Sequence, residues 1–212
     1  MSSYTTNLSS PAESLLYAAR DGGTEKLGEL LQLYVNYLKI LATTQLDTKL
    51  RTRISPSDVV QDTLLEAHRD FHQFRGQSEP ELQGWLRKIL IHNIGRVVER
   101  HVLAEKRNVR REVSLDRVHR SMERSSIHLR QIADSGDSPS DAAQQGEHTR
   151  MLADHLADLQ EDYQQVIVLR NLEGLPFKDV AESMGRSCGA VRMLWLRAID
   201  ALRDKFRESG ML

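Results

Sequence analysis

The sequence predicts an all-α fold of two small helical domains joined by a flexible linker. Apolar residues recur at the i, i+3, i+4 and i+7 spacing of helices, no stretch shows the alternation of β-strands, and aromatic residues make up only 5% of the chain. A cluster of Ser, Asp, Gly and Pro at 134–141 interrupts the helical pattern. We therefore expect an N-terminal domain over 1–103, a linker over 104–147 and a C-terminal domain over 148–212.

The first two helical segments lie in the N-terminal domain. A short helix over 14–20 should end at the Asp-Gly-Gly sequence of 21–23. A single long amphipathic helix is expected next, because one apolar stripe continues without a break. This stripe consists of Leu27, Leu30, Leu31, Tyr34 and Leu38.

A third helix is expected to begin at Pro56. Ser55 and Asp58 have the spacing of a capping box, and proline is favoured at the first helical position. The inward side carries Val60, Leu64, Ala67 and Phe71, and the opposite side carries Asp58, Gln61, Asp62, Leu65 and Arg69. A leucine therefore stands among acids and amides, and from the residues alone it is either simply solvated or part of a contact with a partner.

The next helix begins near residue 81 and has a row of polar and aromatic residues beside its apolar stripe. Trp85, Lys88 and His92 follow one another at i, i+3 and i+7, and the helix then meets Asn93 and Gly95, where we expect a kink or a loop. A ring, a cation and an amide in one row suit the binding of unstacked bases. A buried Trp85 and a solvated Lys88 are the equally weighted alternative.

The C-terminal domain is predicted to hold a pair of helices joined by a tight turn. Gly185 should end the first helix, and Ser187 can cap the second. The second helix should bury Val191, Leu194, Ala198 and Leu202 and project Arg192, Met193, Leu196, Arg197 and Arg203 outward. This pattern is typical of a helix-turn-helix, whose second helix enters the DNA major groove. A helical hairpin that does not bind DNA is the alternative.

Charge is arranged in blocks, although the net charge of the chain is only −1. The segment 81–130 carries 12 basic and 6 acidic residues, 131–183 carries 3 and 11, and 184–207 carries 6 and 2. A polyanion responds to this local charge rather than to the net charge. We hypothesise that the acidic segment lies against one of the basic surfaces in the free protein.

The residues predict neither catalysis nor a resident metal or cofactor. His68 and His72 have the i, i+4 spacing of metal ligands, but the glutamate of zinc proteases and a third ligand are not evident, so a metal-dependent hydrolase is a weak alternative. The single cysteine, Cys188, excludes an internal disulfide bond. No secretory signal and no membrane-spanning run is evident in the sequence, so we expect a cytoplasmic protein without membrane insertion.

Four stretches, in this order, carry a resemblance to a known family: SPSDVVQDTLLEAHRDFHQFRG (55–76), ELQGWLRKILIHNI (81–94), REVSLD (111–116) and LEGLPFKDVAESMGRSCGAVRMLWLRAIDALR (172–203). The sequence resembles the extracytoplasmic-function (ECF) sigma factors, small bacterial proteins that give RNA polymerase its promoter specificity. It looks most like the variety rich in planctomycetes. The resemblance implies a region 2-like domain over 1–103 and a region 4-like helix-turn-helix domain over 148–212.

The resemblance also implies roles for individual residues. Contact with the core polymerase is implied for Asp58, Gln61, Asp62 and Leu65. Capture of the melted non-template strand at the downstream promoter element is implied for Trp85, Lys88, His92, Asn93, Arg96 and Arg100, although many relatives have an acidic residue where Arg96 stands. Recognition of the duplex upstream element is implied for Arg186, Ser187, Ala190, Arg192, Met193 and Arg197. An anti-sigma protein is a further partner that the resemblance implies. A stand-alone helix-turn-helix regulator is the alternative function, and it needs neither polymerase contact nor strand capture.

Overall fold

The structure, a computed structural model, describes residues 10–46, 53–104, 115–133 and 142–210. These residues form ten α-helices and no strand, which confirms the predicted all-α class. The helices are α1 (Pro11–Arg20), α2 (Thr24–Gln32), α3 (Val35–Gln45), α4 (Pro56–Asp70), α5 (Glu79–Ala104), α6 (Leu115–Ala133), α7 (Ala142–Ala157), α8 (Glu161–Ile167), α9 (Phe177–Met184) and α10 (Cys188–Glu208). A 3-10 turn (Phe71–Gln73) follows α4, and a π-helical segment (Val168–Leu172) follows α8.

The single long helix predicted through Tyr34 is in fact the two helices α2 and α3. The backbone N–H groups of Leu33 and Tyr34 donate to the carbonyl oxygens of Leu30 and Leu31, at 3.2 and 3.1 Å. These bonds span three residues instead of four, so the chain tightens between the two helices. The prediction of one helix is therefore wrong, but every residue of its apolar stripe is buried.

Helix α4 begins where the capping residues predict. The hydroxyl oxygen of Ser55 accepts a hydrogen bond from the backbone N–H of Ser57 at 3.2 Å, and Pro56 is the first helical residue. Val60 and Ala67 are buried, and Leu64 and Phe71 are half-buried. This inward side packs α4 against α3 and α5.

Helix α5 is the central element of the fold, and it runs unbroken from Glu79 to Ala104. The chain therefore does not form a loop at Asn93 and Gly95, and that prediction is wrong. Both residues are buried, and the burial of their neighbours outweighs the low helix propensity of glycine and asparagine. Helices α1, α3, α4, α6 and α7 all pack against α5. Its completely buried residues are Leu82, Leu86, Leu90 and Ile94.

The connector between the two predicted domains contains helix α6, which the fading apolar periodicity did not predict. Its buried side carries Val118, Met122 and Leu129, but also Ser125 and Ser126. Two serines at buried positions hide the apolar period, because the pattern counts only apolar side chains.

Helix α6 packs against α3, α5 and α7, and α7 begins at Ala142, before the predicted boundary at 148. The predicted flexible cluster at 134–141 lies outside the described residues, and the division into two domains stays a prediction.

We expect Leu86→Ala to lower the free energy of unfolding by about 2–5 kcal/mol, because it leaves a cavity in the completely buried stripe of α5. The matched change Leu65→Ala removes the same atoms from an exposed position on α4, and its effect should stay within about 0.5 kcal/mol. Urea denaturation followed by circular dichroism measures both values. Equal effects of the two changes would contradict the described burial of α5.

Candidate nucleic-acid interface

The turn between α9 and α10 has the geometry that its sequence predicts. Gly185 adopts the left-handed conformation, with φ of 62°, which glycine tolerates at low cost. The hydroxyl oxygen of Ser187 accepts a hydrogen bond from the backbone N–H of Ala190 at 3.2 Å and so caps α10. Val180 and Val191 are completely buried, which packs the two helices together as a helix-turn-helix.

The outer side of α10 is exposed and basic. The inward side carries Val191, Leu194, Ala198 and Leu202, all buried as predicted. All six residues assigned to the upstream element, Arg186, Ser187, Ala190, Arg192, Met193 and Arg197, are exposed and lie at the turn or along one helix. Met193 keeps 52% of its surface exposed and Leu196 keeps 48%, so the surface mixes cations with apolar groups. Such a mixture suits the major groove, which offers acceptors, phosphates and thymine methyl groups.

An aromatic pair behind this surface holds α10 against the π-helical segment. Phe177 and Trp195 meet edge to face at 5.7 Å, and the Trp195 indole N–H donates to the Asn171 side-chain oxygen at 2.9 Å. The guanidinium carbons of Arg170 and Arg192 lie 4.8 and 5.6 Å from the centre of the Phe177 ring. The Phe177 ring therefore attracts Arg192 towards the start of the exposed surface.

Four of the six residues assigned to the downstream element form an exposed stripe along α5. Lys88, His92, Arg96 and Arg100 follow one another at four-residue spacing, which places them on one side of the helix. The Arg96 guanidinium bonds to the carboxylate of Glu66 on α4 and to the side-chain oxygen of Asn93. The stripe is cationic and suits a phosphate backbone.

The other two residues of this set, Trp85 and Asn93, lie beneath the stripe. The Trp85 ring is half-buried, 6.3 Å from the ring of Phe71 and 5.3 Å from that of Phe74. Asn93 is only 4% exposed, and its side-chain N–H donates to the Thr63 hydroxyl at 3.3 Å. In this conformation both side chains stabilise the packing of α4 on α5, and their contacts with bases stay predictions.

Comparison with known proteins identifies relatives that this chain resembles. The sigma-70 region 4 family matches residues 149–202. The ECF RNA polymerase sigma-E factor of Haemophilus influenzae is 27% identical over 197 residues, which are 92% of this chain and 95% of the relative. The same-named factor of Escherichia coli strain K12 is 26% identical over 148 residues, which are 70% and 72%. A chain in the solved structure of CnrH in complex with the cytosolic domain of CnrY is 19% identical, with 94% and 99% covered and a TM-score of 0.33.

The chain is similar over 92% of its length to an extracytoplasmic-function sigma factor. It is an RNA polymerase sigma factor, and the region 4 match covers α8, α9 and most of α7 and α10. The exposed helix-turn-helix is thus the region 4 DNA-binding motif of this sigma factor.

Two ion pairs join the acidic segment of the sigma factor to the basic side of the helix-turn-helix. Asp162 on α8 pairs with Arg186 at 2.5 Å, and Asp158 lies 3.6 Å from Lys205. Exposed pairs of this kind typically contribute about 0–1 kcal/mol, so a phosphate can replace Asp162 at little cost. The hypothesis that the acidic segment as a whole lies against a basic surface stays a prediction.

Helix α4 of the sigma factor exposes the predicted polymerase-contact residues together. Asp58, Gln61, Asp62 and Leu65 are all exposed, and Leu65 keeps 64% of its surface exposed. A groove of about 300 Å³ lies beside Leu65 between α4 and the α2–α3 pair. Its apolar lining includes Leu31, Val35, Val60 and Leu64. An exposed apolar anchor with a charged surround is the usual composition of a specific protein interface.

The contacts of Arg170 and Phe177 are features of this surface that the sequence pattern did not predict. Arg170 is one of three basic residues in the acidic segment 131–183, so a charge average conceals it. Phe177 fits the apolar stripe of α9, and only the fold shows that two guanidinium groups meet its ring. The sequence did contain a signal for this contact. A basic residue, Arg170, precedes the helix-turn-helix, and an aromatic residue, Phe177, is the first residue of its first helix.

The two histidines of the alternative metal site lie at the surface. His68 and His72 are both exposed, and the described residues contain no group of three His, Cys, Asp or Glu side chains placed to hold a metal ion. Within the same residues, no helix is long and apolar enough to cross a membrane.

We expect Ser187→Ala to lower the free energy of unfolding by about 1 kcal/mol, because the Ala190 N–H loses its capping acceptor. Ser187→Asp should keep the stability, since aspartate is an equally good cap and suits the positive end of the helix dipole. The two variants separate capping from DNA binding, because the added negative charge of Ser187→Asp should weaken binding to duplex DNA. Thermal unfolding and fluorescence anisotropy measure the two effects, and a stable Ser187→Ala would contradict the cap.

Proposed function

We propose that this sigma factor binds the core polymerase through the exposed side of α4 and directs it to promoters with two separate DNA-binding surfaces. The observation that carries the proposal is the exposed Leu65 among Asp58, Gln61 and Asp62. A DNA-binding protein that acts alone gains nothing from an acidic, leucine-bearing surface, because DNA repels carboxylates. A protein partner with a basic, partly apolar surface matches it.

The upstream element is read as duplex DNA by α10. The N-terminus of α10 carries Arg186 and Ser187, where free backbone N–H groups favour a phosphate. Arg192 and Arg197 can donate to guanine edges or to phosphates, and Met193 or Ala190 can touch a thymine methyl group. The exposure of all six residues supports this assignment.

The downstream element is captured as a melted strand along α5. Lys88, His92, Arg96 and Arg100 supply phosphate contacts along one exposed stripe. Opening duplex DNA costs about 1.4 kcal/mol per base-pair step in stacking. A base stacked on an aromatic side chain returns about 1–3 kcal/mol, which offsets one or two opened steps. Trp85 supplies this ring only if it turns away from Phe71 and Phe74, and Asn93 reaches a base edge only after leaving Thr63.

The proposal extends to the cellular setting of the protein. A sigma factor acts where the bacterial polymerase acts, which is the cytoplasm. An anti-sigma protein that inhibits it has to cover the polymerase-contact surface of α4. The groove beside Leu65 can bind an apolar side chain of such a partner. Competition between the core polymerase and the anti-sigma protein for Leu65 is the expected consequence.

Asp62→Arg and Leu65→Ala should each abolish or strongly weaken association with the core polymerase, because one reverses a charge and the other removes the apolar anchor. Run-off transcription with purified core polymerase on a promoter library, together with a pull-down of core polymerase, measures the loss. Asp21→Arg makes the same charge change at an exposed position at the end of α1 and should keep full association. A wild-type chain that binds duplex DNA but never programs core polymerase would support the stand-alone regulator instead.

Arg192→Ala should weaken binding to the upstream element by about 1–3 kcal/mol and relax the preference at one base pair, if Arg192 contacts a base edge. If Arg192 contacts a phosphate, binding falls equally on all sequences and the salt slope drops by about one. Anisotropy titrations over a range of salt concentrations distinguish the two cases. Arg207→Ala, an exposed arginine at the far end of α10, is the matched control and should bind like the wild type.

A further inference from the structure

A cluster of buried polar side chains joins the N-terminal helices to α7. Glu79, the first residue of α5, is only 1% exposed, and its carboxylate lies 3.6 Å from the Nε atom of Arg150 on α7. The hydroxyl of Ser10, before α1, donates to the same carboxylate at 3.2 Å. Arg150 also lies 3.9 Å from Glu147 and 3.6 Å from Asp154. The cluster thus combines residues that are far apart in the chain.

Two further hydrogen bonds and one close approach belong to the same contact. The side-chain N–H of Gln83 on α5 donates to the Gly146 carbonyl oxygen at 2.9 Å, and that of Asn36 on α3 donates to Asp154 at 2.9 Å. A Cβ atom added to Gly146 would stand 3.1 Å from the Cγ atom of Glu79. Glycine therefore lets α7 approach the start of α5 closely.

The contact is incompletely paired. In the described part of the chain, four buried side-chain polar atoms have no partner at full hydrogen-bond geometry, although the Tyr34 hydroxyl interacts with the Glu79 carboxylate: the Tyr34 hydroxyl, Glu79 Oε1, Arg87 Nε and Arg150 Nε. The first, second and fourth belong to the Glu79 cluster, and Arg87 lies one turn beyond Gln83 on α5, where its Nε is 3.8 Å from Glu123 of α6. Permanent protein cores rarely leave such atoms unpaired, since each costs free energy.

The separations also exceed those of strong ion pairs. Charge-assisted hydrogen bonds are about 2.7–2.9 Å long, whereas the Glu79 carboxylate and Arg150 are 3.6 Å apart. Burial of the Glu79 carboxylate costs the full free energy of desolvation, and the attraction to Arg150 at this distance offsets only part of that cost. Such an imperfect polar part, beside the buried Leu152 and Leu156 of α7, is found in surfaces inside one chain that separate and rejoin.

We propose that the Glu79–Arg150 cluster is a releasable latch, which holds α7 and the region 4 helices against α3 and α5 in the free protein. Release lets the region 4 helices move as a unit relative to α5. The existence of the latch does not depend on the proposed function, but the purpose that we assign to the latch rests on that function. Duplex DNA is stiff over about 150 base pairs, so the DNA sets the separation of two promoter elements and the protein has to adjust.

The latch also has a defined response to pH. Burial raises the pKa of the Glu79 carboxyl, and the nearby Arg150 only partly offsets this. Tyr34 faces Glu79 from the turn before α3, and burial raises the pKa of its phenol, so it stays neutral near pH 7. Glu147 adds a second negative charge from α7. The latched state binds the Glu79 proton more tightly than the released state, so latching is favoured at low pH and weakens as the pH rises through the raised pKa.

The test removes one partner of the pair in the full chain. Arg150→Met keeps most of the side-chain volume but leaves the Glu79 carboxylate without its cation, so it should open the latch. We expect a larger radius of gyration by small-angle X-ray scattering and at least tenfold faster hydrogen exchange of the α7 amides, with the α5 amides still protected. Arg207→Met, at an exposed position of α10, is the matched control and should leave both readouts unchanged.

Glu79→Gln tests the charge itself. This neutral variant should stay latched as the pH rises, whereas the wild type should exchange its α7 amides faster, beyond the intrinsic effect of pH, once the pH passes the raised pKa of Glu79. Adding Glu79→Gln to Arg150→Met removes the unpaired charge and should restore much of the α7 protection. An additive loss in the double variant would overturn the proposal, because it would mean that the two side chains act independently.

Two other outcomes would also overturn the latch. One is that Arg150→Met leaves the radius of gyration and the exchange of α7 unchanged. The other is that α5 and α7 lose protection together in one transition, which would make the contact part of a single core. All of these measurements use the free protein without polymerase or DNA. A failure to program core polymerase would therefore end the proposed function and leave the latch standing.

Discussion

The burial of α5 along its length is the interaction on which the rest of the molecule depends. Five helices pack against it, and each completely buried leucine or isoleucine contributes about 1.5–3 kcal/mol relative to an exposed one. Burial of Leu82, Leu86 and Leu90 sets the rotation of the helix, so Lys88 and His92 are forced to the surface. The same packing holds α4 with Leu65 outward. The two candidate surfaces of the N-terminal part thus have a common structural origin.

The parts of the structure that depend on local chemistry were predictable from the sequence. The start of α4 follows from Ser55 and Pro56, and the turn before α10 follows from Gly185 and Ser187, since each residue acts on backbone groups within a few positions. The 3.6-residue period also identified the buried side of α10 and the exposed arginines opposite it. A helix-turn-helix is built from such local signals, which is why its predicted residues are exposed together.

The parts that depend on distant contacts were not predictable. The break at Leu33 follows no glycine or proline, and Gly95 lies inside a helix because its neighbours are buried. Helix α6 is concealed by Ser125 and Ser126, whose burial depends on the helices around them. The assigned base contacts of Trp85 and Asn93 were inferred from a row on one helix, but the neighbouring α4 and its 3-10 turn cover them. A single sequence contains no direct record of which helices meet.

The π-helical segment before the helix-turn-helix gives this part of the chain an unusual sensitivity to length. Each turn there holds one residue more than an α-helix, as in the bond from the Glu173 N–H to the Val168 carbonyl oxygen at 2.9 Å. Loss of one residue from Val168–Leu172 would replace this wide turn by an α-helical one and change the side on which its side chains lie. Asn171 would then point away from Trp195. A deletion of one residue, which a surface loop absorbs, would here change how α9 and α10 are seated on α8.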